Sequence, residues 1–343
     1  MKMKTYCKII TALTLLLASA CEPQEKPASY PEGEGFFVLN EGNYLAGNGT
    51  ISFYSLETGE IYNDLFGTVN GRALGDIPSF MAVEGSMGYI VVNNSGTIEA
   101  IDMATMESLG TVTGLASPRQ MVINEMKGYI SSLQDGGIKV LDLDGMAVSD
   151  EIEVGSSTEA MVISAGRLFA AHWSAGSTIT VTDLATGNLI RTISVGLEPE
   201  SMVLDCNGKL WVLCTGGWQG EEIPRIVRIN TSTLEKEAEL QFRTVDDNPS
   251  SLTCNAAGDT LYYLDEGVRR MQVTADALPS GVFIPAGDRL FYKLIAGPRG
   301  MVAVTDAIDY QQKGDLLIYN SRGELIDTEQ AGIIPGYIHY MKD

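Results

Sequence analysis

From Gly35 onward the apolar residues come in short runs, rich in β-branched and aromatic side chains and broken by Gly, Asn and Asp. Apolar spacing of three and four residues, the mark of a helix, is almost absent. The body therefore reads as strands joined by turns. The runs repeat one phrase. A small polar or Pro-led segment opens a first strand, and a Gly turn leads to a second. A polar loop leads to a third strand ending in Asp or Asn, and a tight turn leads to a fourth. Second strands read FFVLN (36–40), YIVVN (89–93), YISSL (129–133), LFAAH (168–172), LWVLC (210–214), LYYLD (261–265) and MVAVT (301–305). Third strands begin at Thr50, Thr97, Gly137, Thr178, Arg225, Gly267 and Asp315. First strands begin at Pro78, Pro118, Thr158, Pro199, Pro249 and, more weakly, Leu290.

The missing first strand is at the C-terminus, where PGYIHY (335–340) repeats the phrase and only Met341, Lys342 and Asp343 follow. The last segment thus supplies the innermost strand of the unit that begins at Phe36. An open solenoid would leave a bare edge at each end, and a closed ring removes both. Residues 36–343 divided by seven give about 44 residues per unit, the size of a four-stranded blade. The prediction is an all-β, seven-bladed β-propeller with ring closure by the C-terminal strand.

Met81, Met121, Met161 and Met202 share one place on the first strands, with Leu252, Lys293 and Ile338 aligned at the other three. An adaptable side chain there fills the irregular space between blades. Asp102, Asp142, Asp183, Asn230 and Asn320 close third strands and are expected to bond the turn backbone. Asp142-Leu143-Asp144-Gly145 starts like a calcium loop but lacks its remainder, so turn chemistry is the better reading. No metal site is expected.

Turns between first and second strands are short, whereas the loops between second and third strands vary and carry unusual residues. In a propeller those loops share a face with the connections between blades. Candidate ligand contacts on that face are Asn43, Tyr44, Asn93, Asn94, Gln134, Asp135, His172, Trp173, Trp218, Asp265 and Tyr310. Arg119, Glu200 and Phe291 join them at the starts of first strands, beside Ser79, Glu159, Ser250 and Tyr337. Aromatics in Gly-rich loops suit a flat organic ligand, and amides and charges fix its orientation. Catalysis has little support: the chain lacks a phosphate-binding Gly-rich loop, a Gly-x-Ser-x-Gly elbow and a histidine cluster. No cofactor is expected.

The N-terminus changes the picture. Three lysines precede an apolar run over 9–18, too short to span a bilayer, which ends Ala18-Ser19-Ala20-Cys21. This resembles the lipobox of bacterial lipoproteins and implies a signal over 1–20 and a lipid on Cys21. An ordinary secretory signal with a chance cysteine is the alternative. Residues 21–35 are rich in Pro, Glu, Ser and Gly and read as a flexible tether, and 36–343 as the propeller. The acidic residues after Cys21 resemble the surface-export signal of Bacteroidetes lipoproteins and imply an outer-membrane protein facing the cell exterior. Of the other cysteines, Cys206, Cys214 and Cys254 read as small buried hydrophobes, with a Cys206–Cys254 disulfide as the alternative.

Asp and Glu number 44 against 23 Lys and Arg, a formal net charge of -21. That balance disfavours nucleic acid and anionic lipid as partners. Contact with a membrane is expected through the lipid alone, and the chain is expected to be monomeric. Finally, VLNEGN at Val38 to Asn43, with the GNGTISFYSLETGE that follows, resembles the opening of Bacteroidetes surface-lipoprotein propellers related to YncE-type proteins. Members of the BtuG type capture vitamin B12 and dock on the transporter BtuB. The resemblance implies a non-catalytic lipoprotein that binds cobalamin or a related corrinoid and passes it to a BtuB-like, TonB-dependent transporter. A protein-interaction propeller serving a different transporter is the second reading, and a propeller hydrolase or lyase the third.

Overall fold

Strands buried on both faces explain the near-continuous apolar runs. Phe36 and Val38 point to one side of their sheet, Phe37 and Leu39 to the other, and all four are buried. The computed structural model describes Tyr30 and residues 33–342. Among these, 28 strands form seven four-stranded antiparallel sheets, the blades of a closed propeller. Blade 1 combines both ends of the chain: Pro335–Met341 pairs with Gly35–Asn40, followed by Thr50–Ser55 and Ile61–Tyr62. The register sets Phe36 opposite Tyr340 and Val38 opposite Ile338. Blades 2 to 7 follow in chain order, their inner strands being Pro78–Glu84, Pro118–Asn124, Met161–Ser164, Pro199–Leu204, Ser250–Cys254 and Phe291–Ala296.

The core is divided into seven seams, one between each pair of neighbouring blades. Met81, Met121 and Met161 are buried in these seams, as their shared position predicts. In blade 7, however, Leu294 and not Lys293 occupies that place. Its backbone N–H donates to Ser251 Oγ (3.2 Å), as Leu252 N–H donates to Ser201 Oγ one blade earlier (3.0 Å). The register is one residue later than the apolar pattern suggested, and a slip of one exchanges the two faces of a strand. One short helix, Leu65–Asn70, breaks the all-strand pattern and seals the outer end of the first seam with Leu65 and Phe66.

Third strands end as expected. Asp102 Oδ1 accepts from the N–H groups of Ala104 and Thr105 (both 2.9 Å), and Asn320 Oδ1 from those of Arg322 (2.9 Å) and Glu324 (3.1 Å). Asp142 makes the same kind of turn bond to Asp144 N–H.

The cysteines follow the expectation except at Cys206. Cys206, Cys214 and Cys254 are all free thiols; Cys214 is buried, Cys254 half-buried and Cys206 exposed. Burial pushes the Cys214 thiol up to about 12 and that of Cys254 up to about 11, so neither is a nucleophile near neutral pH. Cys21 and the signal segment lie outside the described residues. Tyr30 falls in the stretch expected to be tether, yet it is buried against Phe37 and Phe53, with ring centroids 5.7 and 5.0 Å away. Glu34, in the same stretch, pairs with Arg299 (3.1 Å).

Candidate functional site

The face that carries the second-to-third loops opens into the central channel, a cavity of about 470 Å³. Its wall includes, from every blade, the residue directly preceding the seam position: Phe80, Gln120, Ala160, Ser201, Ser251, Lys293 and Tyr337. Neighbouring positions of a strand face opposite sides, so these residues stand on the other face of the inner strand from that seam position, as Phe80 does from Met81. Tyr337 packs on Phe80 across this wall (4.7 Å between centroids).

Three polar pairs stand at the mouth. Arg119 Nε donates to both carboxylate oxygens of Glu159 (3.0 and 2.8 Å). Lys293 Nζ lies 3.4 Å from Glu200 Oε1, while Ser251 N–H donates to Glu200 Oε2 (3.0 Å). Tyr292 O–H donates to Glu41 Oε1 (2.9 Å). Burial raises the Glu41 pKa, and the Tyr292 hydrogen bond and the charges of Lys293 and Arg119 oppose that rise. Glu41 belongs to the NEGN motif, which the structure explains residue by residue. Asn40 is buried, donating to Ser52 Oγ (2.9 Å) and accepting from Gly332 N–H (2.9 Å), so it ties the ring closure. Gly42 takes a left-handed φ of 76°, and a Cβ there would strike Asn48 Oδ1 at 2.4 Å. Asn43 N–H donates to Asn48 Oδ1 (2.8 Å), which shapes the loop.

Arg119 and Glu200 are thus at the mouth, as the sequence indicated, and Asn93 lines the cavity. Phe291 is not at the mouth: it packs against Tyr319 in the seam (6.3 Å), and Tyr292 takes the channel position through the same one-residue shift. Glu41, Tyr292 and Lys293 were missed. The NEGN phrase at 40–43 was the available signal for Glu41.

The loop residues separate into framework and surface. His172 is 3% exposed, its Nδ1 2.8 Å from the Ser157 carbonyl and its Nε2 3.2 Å from Thr180 Oγ1. Burial lowers its pKa, so it is a neutral tie between loops and not an exposed contact. Asp265 is buried in an ion pair with Arg269 (3.1 Å). Asn93 Nδ2 donates to the Pro118 carbonyl (2.8 Å), and Asn94 Nδ2 to Asp76 Oδ2. Gln134 is exposed, and Asp135 lies 3.7 Å from Lys139 Nζ. On the surface, Tyr44 is 69% exposed, and Tyr310 stands edge-on to Tyr292 at 5.4 Å. Asn43, beside Tyr44, reaches the Gln311 carbonyl at 3.5 Å.

Trp173 and Trp218, from the loops of blades 4 and 5, line one cleft of about 530 Å³. The cleft meets the channel at Glu200, which lines both. Aromatic residues therefore stand on opposite sides of the mouth: tyrosines over blades 7 and 1, tryptophans over blades 4 and 5. Among the described residues no group of three or more His, Cys, Asp or Glu is placed to hold a metal ion.

A family model described as "Domain of unknown function (DUF5074)" matches residues 34–293. No curated protein matches the sequence. Among solved structures, a quinonprotein alcohol dehydrogenase-like protein from Bacteroides thetaiotaomicron shares 16% identity, over 90% of this chain and 78% of its own, with a TM-score of 0.68. A protein from Lactobacillus plantarum shares 13%, over 91% and 100%, with a TM-score of 0.69. Hydrazine synthase from Kuenenia stuttgartiensis shares 12%, over 78% and 95%, with a TM-score of 0.61. At such identities the likeness speaks to the fold alone.

Proposed function

The chain belongs to the DUF5074 family, whose function is unknown, and we propose that it is a non-catalytic propeller that captures a small organic ligand on its channel face. The observation that carries this reading is the pair of aromatic stations on opposite sides of one open mouth, with Arg119, Glu159, Glu200 and Lys293 between them. A flat ligand fringed with hydrogen-bonding groups, wide enough to cross the mouth, would meet both stations. A corrinoid has that shape, and corrinoid capture is also what the VLNEGN resemblance implies. On this reading the lipid on Cys21 holds the propeller at the outer membrane, where it hands its ligand to a TonB-dependent transporter. Binding without turnover suits the mouth, because its charged groups already face partners of opposite charge.

Calorimetry with cyanocobalamin on the chain from residue 22 onward tests the proposal. Saturable binding that weakens in Trp218→Ala is expected. Absence of heat, together with an unchanged cobalamin spectrum, would sink the corrinoid reading. The adjacent exposure of Tyr44 (69%) and Leu45 (73%) on one loop favours a second reading, in which this rim docks a protein. Pull-down of a transporter without any small-molecule binding would select it.

A further inference from the structure

The cleft beside the channel joins two features that the capture of a neutral ligand does not need together. The first is the indole of Trp218, 87% exposed. The second is charge. Glu198, Glu200, Asp246 and Asp247 line the cleft, and no Lys or Arg is among its described lining residues. Lys293 offsets Glu200 from the channel side. Asp247 Oδ2 is engaged by the N–H groups of Arg243 (2.8 Å) and Thr244 (2.7 Å), which hold it in place without cancelling its charge. Glu198 Oε2 accepts from Thr215 Oγ1 (3.2 Å), again from a neutral donor. A net negative cleft lined by two tryptophans attracts a cation twice, through the carboxylates and through the negative faces of the rings.

We infer that the Trp173–Trp218 cleft is a binding site for a small organic cation, an alkylammonium group seated against an indole with carboxylates around it. The geometry suits alkylammonium better than a bare metal ion, which needs converging oxygen ligands and gains little from an indole wall. This inference rests on the channel face being a capture surface, but not on the ligand being a corrinoid. The cation is the part of the ligand that enters the cleft, and the channel mouth takes what extends beyond it.

The test is calorimetry on the full-length chain in a non-ionic detergent, with choline and its neutral isostere 3,3-dimethylbutan-1-ol as probes. Choline is expected to bind saturably and more weakly as salt rises, and the isostere not to bind. Trp218→Ala should weaken choline about tenfold, and Glu198→Gln or Asp246→Asn about threefold each, with melting temperatures unchanged. Equal binding of choline and the isostere would overturn the inference, as would choline binding that survives Trp218→Ala. A parallel cyanocobalamin titration separates the two readings. Corrinoid binding without choline binding overturns the cation site alone. Choline binding without corrinoid binding overturns the corrinoid reading alone.

Discussion

Trp211 and Trp218 lie seven residues apart and have opposite surroundings. Trp211 is fully buried in the seam between blades 5 and 6, and its Nε1–H donates to Asp205 Oδ2 (2.9 Å). Trp218 is almost wholly in solvent. Trp211→Ala should therefore cost about 3–5 kcal/mol of stability, and more if Asp205 is left unpaired. Trp218→Ala should leave the melting temperature within a degree or two and act on binding alone. Denaturant titration of both variants, alongside calorimetry, checks the contrast. His339 offers a second test at this scale. Burial in the ring-closing strand holds it neutral, its pKa pushed down to about 4 from 6.5. A depressed histidine contributes stability that is present above pH 6.5 and is lost as pH falls toward 4. His339→Gln should remove about 1–3 kcal/mol of that acid sensitivity, allowing for its partial exposure. Unfolding curves at pH 7 and pH 5 would show the wild type losing more than the variant.

At the scale of the element, the strand Pro335–Met341 is the one whose loss should be felt everywhere. It fills the inner position of blade 1 and pairs along Gly35–Asn40. Removing residues 333–343 exposes the edge of Gly35–Asn40 and the inner wall beside blade 7. The expected outcome is a large fall in the global unfolding midpoint. A normal midpoint with mere fraying at the end, seen by hydrogen exchange, would contradict closure. The inner strand of blade 7 shows why its register was misread. In the other blades Pro or Thr marks the entry, but here the entry residue is Phe291, within the run LFYKLI. Apolar residues on both faces of that run leave two registers equally patterned. Pairing of Leu294 with Val304 and insertion of Leu294 into the seam select one of them.

The whole molecule is a ring of seven seams and not a single central core, so each blade is stabilised only by its two neighbours. That arrangement leaves the middle free for a channel lined by the side chains of the inner strands. It also leaves the loops of the channel face free to vary without disturbing the seams. The chain carries a formal net charge of -21, which favours cationic over anionic ligands. Attachment is a question at this scale too. Cys21→Ala should move the protein from the membrane fraction to the soluble fraction while leaving the melting temperature unchanged. A variant that stays firmly in the outer membrane would contradict the lipid anchor.

What the sequence determined by itself is the part of the protein that repeats. Seven recurrences of an apolar phrase, five of them with Asp or Asn at the same turn, specify strands, blades and closure, because strand formation and turn bonding act over a few residues. The exposed aromatics were legible for the same reason: Tyr44, Trp218 and Tyr310 sit in polar loops that offer no seam to enter, as does half-buried Trp173. Whether a polar loop residue faces outward or inward was decided by tertiary structure. His172 and Asp265 resemble Asn43 and Gln134 in sequence, yet Thr180 and the Ser157 carbonyl take the first inward and Arg269 takes the second. The mouth was decided in the same way. Glu41 meets Tyr292 from 251 residues away, and Arg119 meets Glu159 across a blade boundary. Packing of neighbouring blades brings Arg119 to Glu159, and only closing the ring brings Glu41 to Tyr292; no local pattern encodes either distance.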